Sequence, residues 1–416
     1  MKLAEFYGGI EIHREDKIVY VRLLVAHRVL STCRSSAGGL HSDLMYLYNH
    51  QSREHAGNRI NSRINRLAIE RPDEYKRMVA DRYHLPAPKC ATLATAVNMN
   101  NTTICHERFC GLEVVTICTG GVEKNAIRSG DPAQYNEPQN GNVCLPKCQE
   151  CAPLSGTINA MIFINQELTP GAMVTAIITA TEAKTAALQE LEVHSRYSEG
   201  LATGTGTDQI AVASKLGGKA IANAGKHSKL GELIGHTMHD AVKRALALEN
   251  GLTPASQSTA LAPLERFGID EQELCQRIGE FLSKENAELF ECNFSNIVKD
   301  PLTVAAVAAL VHLRDKFVWG ILPVSCIPEV MALYGAQISA AVSGKSHRIH
   351  AYMQVLSTQK MSLDKHVFLE FVCKAFAQGF CEKWSDFEIN ACKEKVDLDG
   401  GPKRHATTKN EGVSGR

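Results

Sequence analysis

Leu201-Ala-Thr-Gly-Thr-Gly-Thr-Asp-Gln-Ile-Ala-Val-Ala-Ser214 passes from a glycine- and threonine-rich loop into a short apolar run. From Gln209 to Ser214 the run is bounded and largely apolar, which reads as a strand. The loop ahead of it crowds the hydroxyls of Thr203, Thr205 and Thr207 together with Gly204, Gly206 and Asp208. Such a loop is suited to holding a polar ligand. Glycine lets the backbone approach a bound group and adopt positive φ, while hydroxyls and freed N–H groups donate hydrogen bonds. No Gly-Lys-Ser/Thr follows, so this is not a nucleotide-triphosphatase phosphate loop.

Working outward, Ile18-Val-Tyr-Val-Arg-Leu-Leu-Val25 lies in a segment, residues 17–31, that reads as one or two strands. Cys90–Asn98, Leu112–Thr119 and Gly156–Asn165 read as further strands. Residues 41–82 carry little β signal, and Leu44, Leu47, Ile60, Ile64 and Leu67 fall near helical spacing. Helices are expected from Pro170 to Glu192 and from Ser228 to Glu249. Strands that come first in a cluster and then alternate with helices predict an α+β architecture, a mixed β-sheet with helices packed on its faces.

Near Gly251-Leu-Thr-Pro-Ala-Ser-Gln-Ser-Thr259 the composition turns to linker residues, and beyond it the strand signal ends. Asp270 with Glu273 forms a capping-box pattern, and Ile269 with Leu274 a hydrophobic staple. Asp300-Pro301 starts another helix, and Ser362 precedes a third that runs through Cys381. The expected organisation is therefore a domain over 1–252, an all-helical C-terminal domain over 260–396, and a disordered tail over 397–416. The 45 basic and 45 acidic side chains balance, which argues against nucleic acid or a membrane surface as the main partner. Homo-oligomerisation is left open. The N-terminus lacks a secretory apolar run. Leu302–Leu313 is too short to span a bilayer, and 14 cysteines without a leader predict reduced thiols in a cytoplasm.

Cys118-Thr-Gly-Gly-Val-Glu-Lys-Asn-Ala-Ile-Arg-Ser-Gly-Asp-Pro132, Gly156-Thr-Ile-Asn159, Thr179-Ala-Thr-Glu-Ala-Lys-Thr-Ala-Ala-Leu188, the Thr203–Asp208 loop and Gly225-Lys-His-Ser-Lys-Leu-Gly-Glu-Leu-Ile-Gly235 follow one another along the chain. In this order and spacing they resemble the adenosylcobinamide amidohydrolase family of cobalamin salvage. Gly38-Gly39 followed by Asn49-His50 is similar to that family's N-terminal pattern. The resemblance covers about residues 15–250. It implies hydrolysis of the amide that joins aminopropanol to the corrin ring of adenosylcobinamide, with the cobalt corrinoid as substrate and adenosylcobyric acid as product.

Cleaving an unstrained amide requires an activated water or nucleophile, donors for the oxyanion, and an acid for the departing amine. Met173, Ile177, Ala180, Lys184, Ala187 and Leu191 share one helical face by spacing. Lys184 thus stands where an apolar residue is expected, and it either pairs with a carboxylate, snorkels to an edge, or is desolvated for function. Glu182 projects elsewhere, and its bland reading is solvent exposure. His227 sits at the start of the next helix, where the dipole favours a proton-accepting imidazole, in line with Gly231 and Gly235, whose missing side chains would admit another backbone. Asp208 could orient His227, polarise water, or cap its own turn. The resemblance assigns water activation to Glu182 or Asp208, proton relay to His227, oxyanion support to Lys184, and substrate binding to Thr203–Thr207 with Asn125 and Asn159. Those two asparagines would look no different as structural turn residues.

Cys144-Leu-Pro-Lys-Cys-Gln-Glu-Cys151 places three thiols at iron–sulfur spacing. Cys144, Cys148 and Cys151 could hold a cubane cluster, form a zinc site completed by Cys110, Cys118 or His106, or remain free. No cofactor is otherwise implied. Two alternatives to the enzyme stay open, a non-catalytic corrinoid-binding module and an iron–sulfur or zinc protein centred on these cysteines.

Overall fold

A computed structural model describes residues 1–52, 59–133, 135–136, 143–144 and 156–384. The chain divides into two compact units, Met1–Ser258 and Thr259–Arg416. The first unit runs β1 (Lys2–Phe6), β2 (Ile10–Glu15), β3 (Ile18–Leu23), β4 (His27–Ser31), β5 (Gly39–His41), β6 (Tyr46–Gln51), α1 (Arg59–Glu70), α2 (Pro72–Arg82), β7 (Cys90–Thr95), β8 (Thr103–Phe109) and β9 (Leu112–Thr119). It continues with the short β10 (Ala126–Ile127), β11 (Tyr135–Asn136) and β12 (Val143–Cys144), then β13 (Asn159–Ile164), α3 (Pro170–Glu190), β14 (Gly204–Thr205), β15 (Gln209–Lys215) and α4 (Lys229–Asn250).

The main strands form two mixed sheets, one ordered β1-β2-β3-β6-β7 and the other β5-β4-β15-β13-β9-β8. Within them β6/β7 and β13/β15 are parallel, and the other neighbours are antiparallel. Strand alternation explains how they stack. Val115, Ile117, Met161, Phe163, Ala211 and Ala213 of the second sheet meet Ile10, Ile12, Val19, Val21, Leu47 and Leu93 of the first in one core. On the far side of the second sheet, Val114, Cys118, Ala160, Ile162 and Val212 pack on α3 and α4 through Met173, Ala176, Leu188, Ile234 and Met238. Ile18, Tyr48 and Cys90 on the far side of the first sheet pack on α1 and α2. The unit is thus four layers, helix–sheet–sheet–helix. Because both faces of β13 are covered, all of its residues are buried, at a typical gain of about 1.5–3 kcal/mol for each large apolar side chain.

Two sequence expectations change here. Residues 41–82 are not wholly helical, since Tyr46–Gln51 forms β6 between β3 and β7 of the first sheet and helix begins at Arg59. Its Asn49 and His50 are buried although polar, because partners reach them from β9, β13 and α2. The N-terminal hairpin of β1 and β2 and the strand β8 also join sheets, beyond the strands that the sequence predicts.

The second unit contains α5 (Glu271–Gly279), α6 (Lys284–Val298), α7 (Pro301–Val318), α8 (Ile327–Ser343), α9 (Ile349–Leu356) and α10 (Lys365–Lys383), as its lack of strand signal predicts. Asp270 accepts from Glu273 N, as its position implies, but the Glu273 carboxylate turns to Arg277 and leaves the capping box half closed. Ile269 and Leu274 are both buried, and Asp300 caps α7 through Thr303 N. The helix read from Ser362 is capped two residues later, by Asp364. Phe290, Phe368, Phe371, Phe376 and Phe380 dominate this core. No single helix among the described residues is long and apolar enough to cross a membrane, and α6 with α7 reaches that composition only across an 81° bend. The tail from 397 lies outside the described residues.

Candidate active site

The Gly/Thr loop is organised around Asp208. Its Oδ1 accepts from Ile158 N at 2.9 Å and Thr205 Oγ1 at 2.5 Å. Its Oδ2 accepts from Thr205 N at 3.0 Å and from Lys184 Nζ at 2.5 Å. Of the three roles open to Asp208, the geometry realises the cap of its own turn, joined to an ion pair that spans from α3. Both groups are largely shielded, with 11% and 18% of their side-chain surfaces exposed. Lys184 therefore occupies an apolar face because a carboxylate waits there. No hydrogen bond joins Asp208 to His227 among the described residues.

This pair also explains Gly204. A Cβ at that position would lie 2.4 Å from Asp208 Oδ2 and 2.7 Å from Lys184 Nζ, and one at Gly206 would lie 3.1 Å from Asn125 Oδ1. Neither glycine has positive φ. Gly204 makes room for Asp208 and Lys184 and Gly206 for Asn125, so the positive φ that glycine allows is not what this loop uses.

Neighbouring motifs close on the same loop. Gly204–Thr205 pairs with Ala126–Ile127 as a two-stranded ribbon. Thr203 Oγ1 accepts from Ser129 N at 2.9 Å. Asn125 Nδ2 donates to Gly156 O at 3.0 Å and to Thr207 Oγ1 at 3.2 Å, and Thr207 Oγ1 lies 2.5 Å from Thr157 Oγ1. Asn159 is 1% exposed. Its Nδ2 donates to Asn49 Oδ1 and Ala94 O, and its Oδ1 accepts from Gln209 N. It ties the two sheets together, and these bonds occupy its amide.

Glu182 and His227 belong to the contact between α3 and the Gly225 turn. Thr179 donates to Ala224 O at 3.0 Å, docking α3 on the Gly225 turn. One turn further along α3, the exposed Glu182 pairs with Lys226. His227 is exposed and precedes the helix cap Ser228, whose Oγ accepts from Gly231 N at 3.0 Å. His227 has no hydrogen-bond partner among the described residues.

The two glycines of this segment behave differently. A Cβ on Gly231 would lie 2.1 Å from Gly225 O and 2.8 Å from Ala224 O, whereas one on Gly235 would meet nothing within 4 Å. Close backbone approach is thus confined to Gly231, because the Gly225 turn folds back only on the first turn of α4. Gly231→Ala should displace the turn that carries His227 and cost about 1–3 kcal/mol or more. Gly235→Ala should gain up to about 1 kcal/mol of helix propensity. Urea midpoints of the two variants check this, and equal effects would contradict the packing.

A shallow cleft of about 80 Å³ opens beside this loop, between α1, α2 and the ends of β7 and β15, with Arg34, Asn65, Thr157, Thr207 and Gln209 on its walls. Among the described residues no carboxylate lines it. Beneath it His50 Nδ1 lies 2.6 Å from the hydroxyl of Tyr75, itself a lining residue. Burial, followed by the charges of Arg82 and Lys17, pulls the His50 imidazole down to about 4, and burial pushes the Tyr75 phenol well above its usual range. The family resemblance includes Asn49-His50 without giving either a site role. The available signal was a polar Asn-His pair directly after the strand-forming Tyr46-Leu-Tyr48.

His50 makes stability depend on pH. Its folded value lies below the unfolded value near 6.5, so between about pH 6.5 and 4 the unfolded chain binds more protons and stability falls as pH falls. The full window corresponds to about 3 kcal/mol. Urea midpoints at pH 7 and pH 4.5 should diverge less in His50→Gln than in the wild type. An identical divergence would show that His50 does not set the dependence.

Of the proposed metal ligands, Cys148 and Cys151 lie outside the described residues, as does the side chain of Cys144. Cys110 is exposed, Cys118 is buried, and His106 pairs with Glu113 at 2.9 Å. Among the described residues no group of three or more His, Cys, Asp or Glu is arranged to hold a metal.

Comparison with known proteins gives two findings. Residues 3–254 match the adenosylcobinamide amidohydrolase (CbiZ) family. The chain is also similar to an uncharacterized protein of Methanocaldococcus jannaschii, MJ1613, at 38% identity over 182 residues, 42% of this chain and 69% of that protein.

Proposed function

Because the chain belongs to the adenosylcobinamide amidohydrolase family, we propose that it adds water across the amide joining aminopropanol to the corrin of adenosylcobinamide. The products are adenosylcobyric acid and free aminopropanol, a step that lets corrinoids be salvaged and remodelled. The observation that carries this reading is convergence. Lys184 meets Asp208, Glu182 meets Lys226, and Asn125 meets Thr207 and Gly156, although 24 to 82 residues separate the partners in sequence.

Of the two carboxylates, Glu182 is the one open to solvent water, since four donors already engage Asp208. We assign Glu182 to water activation and His227, beside Lys226, to proton transfer toward the departing amine. Lys184 and Asp208 hold the Thr203–Thr207 loop in shape for the substrate, and the Lys184 ammonium supplies positive charge near it. A ligand as large as a corrinoid suits a surface of several loops continuous with a cleft.

Incubation of the purified chain with adenosylcobinamide, followed by mass spectrometry, tests the proposal. The expected result is loss of the aminopropanol group. Folded protein that binds the corrinoid but releases no adenosylcobyric acid would instead be a corrinoid-binding module.

A further inference from the structure

The cleft beside the Gly/Thr loop contains a side chain whose orientation is chemically fixed. Gln209 Oε1 accepts from Ala94 N at 2.9 Å. A backbone N–H can only donate, so the oxygen of this amide must face Ala94 and the NH2 group must face away from it. Gln209 lines the cleft, and its Nε2 has no hydrogen-bond partner among the described residues. Its backbone is held as well, since Gln209 N donates to Asn159 Oδ1 at 3.2 Å. The result is a preset pair of N–H donors without a protein partner among the described residues.

The walls around it point to the same class of ligand group. Asn65 and Arg34 add amide and guanidinium donors, and no carboxylate stands among the described lining residues, whereas the Thr157 and Thr207 hydroxyls are engaged with Gly156 O and with each other. Arg34 is exposed and has no ion-pair partner among the described residues. Neither Glu182 nor His227 lines the cleft. Its free donors are thus grouped away from the surface to which the proton-transferring groups were assigned.

We infer that Gln209 is a specificity-determining residue of this cleft, donating from Nε2 to the carbonyl oxygen of a carboxamide side chain on the corrin periphery. The inference rests on the corrinoid reading of the site. Cobinamide carries several such carboxamides around its ring, each presenting a carbonyl oxygen. A donor already held in place binds one of them without first losing side-chain freedom.

The test uses the full chain and two substitutions. Gln209→Glu keeps an oxygen for Ala94 N–H but replaces the two donors with an acceptor. Gln209→Met removes the donors without adding charge. Binding of adenosylcobinamide is measured by equilibrium dialysis and turnover by product mass spectrometry, with thermal melts as a check on folding. Both variants should bind about tenfold more weakly, the scale of one lost hydrogen bond with an unsatisfied partner. KM should rise in parallel while kcat stays within about threefold of wild type. Affinity within about twofold of wild type in either folded variant overturns the inference, since a purely structural Gln209 predicts retention in Gln209→Glu and a charge effect predicts retention in Gln209→Met. If the wild type binds but does not hydrolyse, the catalytic proposal falls while the affinity comparison still decides the role of Gln209. If the wild type does not bind, both fall.

Discussion

His227→Gln is expected to slow release of aminopropanol from adenosylcobinamide by about a hundred- to ten-thousandfold, the usual contribution of a group that transfers a proton in the rate-limiting step. Glutamine retains hydrogen-bonding capacity but has no titratable proton. The imidazole is exposed and has no hydrogen-bond partner among the described residues, so melting temperature and corrinoid affinity should hardly change. Glu182→Gln should give a similar loss if that carboxylate activates water, and its partner Lys226 is solvent-exposed, so this change too should be tolerated by the fold. The measurement is kcat on adenosylcobinamide with affinity determined separately. Near-normal turnover in His227→Gln would make it a surface histidine and move the search for the proton carrier to Glu182 and Lys184.

The second large effect concerns stability. Lys184→Met should destabilise the first unit by about 2–4 kcal/mol, because it leaves the largely shielded Asp208 carboxylate without its counter-charge. Asp208→Asn should cost a similar amount for a different reason. An asparagine can keep its oxygen toward Ile158 N and Thr205 Oγ1, but its NH2 group then confronts Thr205 N–H and the Lys184 ammonium, three sets of donors with no acceptor. Urea midpoints of the single variants and of Lys184→Met with Asp208→Asn measure the coupling. Additive losses would mean that the ion pair contributes nothing beyond its separate members. In the coupled case, activity lost in the single variants reports the shape of the Thr203–Thr207 loop rather than chemistry by Asp208.

Several elements could be read directly from local pattern. Leu112–Thr119 is a strand over the residues its β-branched composition marks, and α3 and α4 end within two residues of the expected positions. Asp270 and Asp300 cap helices where their sequence context places them. These features depend on neighbours a few residues away, which the linear chain displays. Tyr46–Gln51 was harder, because Asn49 and His50 break its apolar pattern and become acceptable in a core only through Thr119, Asn159 and Tyr75.

The candidate site divides along the same line. Sequence by itself determined the α+β class, the helical second unit, the motif segments that mark the family, and the anomaly of a lysine on an apolar helical face. It could not choose among the roles of Lys184, Asp208, Asn125 and Asn159, since each role depends on which group stands opposite. Only the tertiary structure decided that Lys184 neutralises Asp208, that Asn159 joins two sheets, that Gly231 rather than Gly235 admits a neighbouring backbone, and that Gln209 turns its amide oxygen to Ala94 N at the edge of a cleft. The physical reason is range. Propensity and capping act over one or two helical turns, whereas a buried charge or amide is satisfied by whatever partner the folded chain brings within about 3 Å.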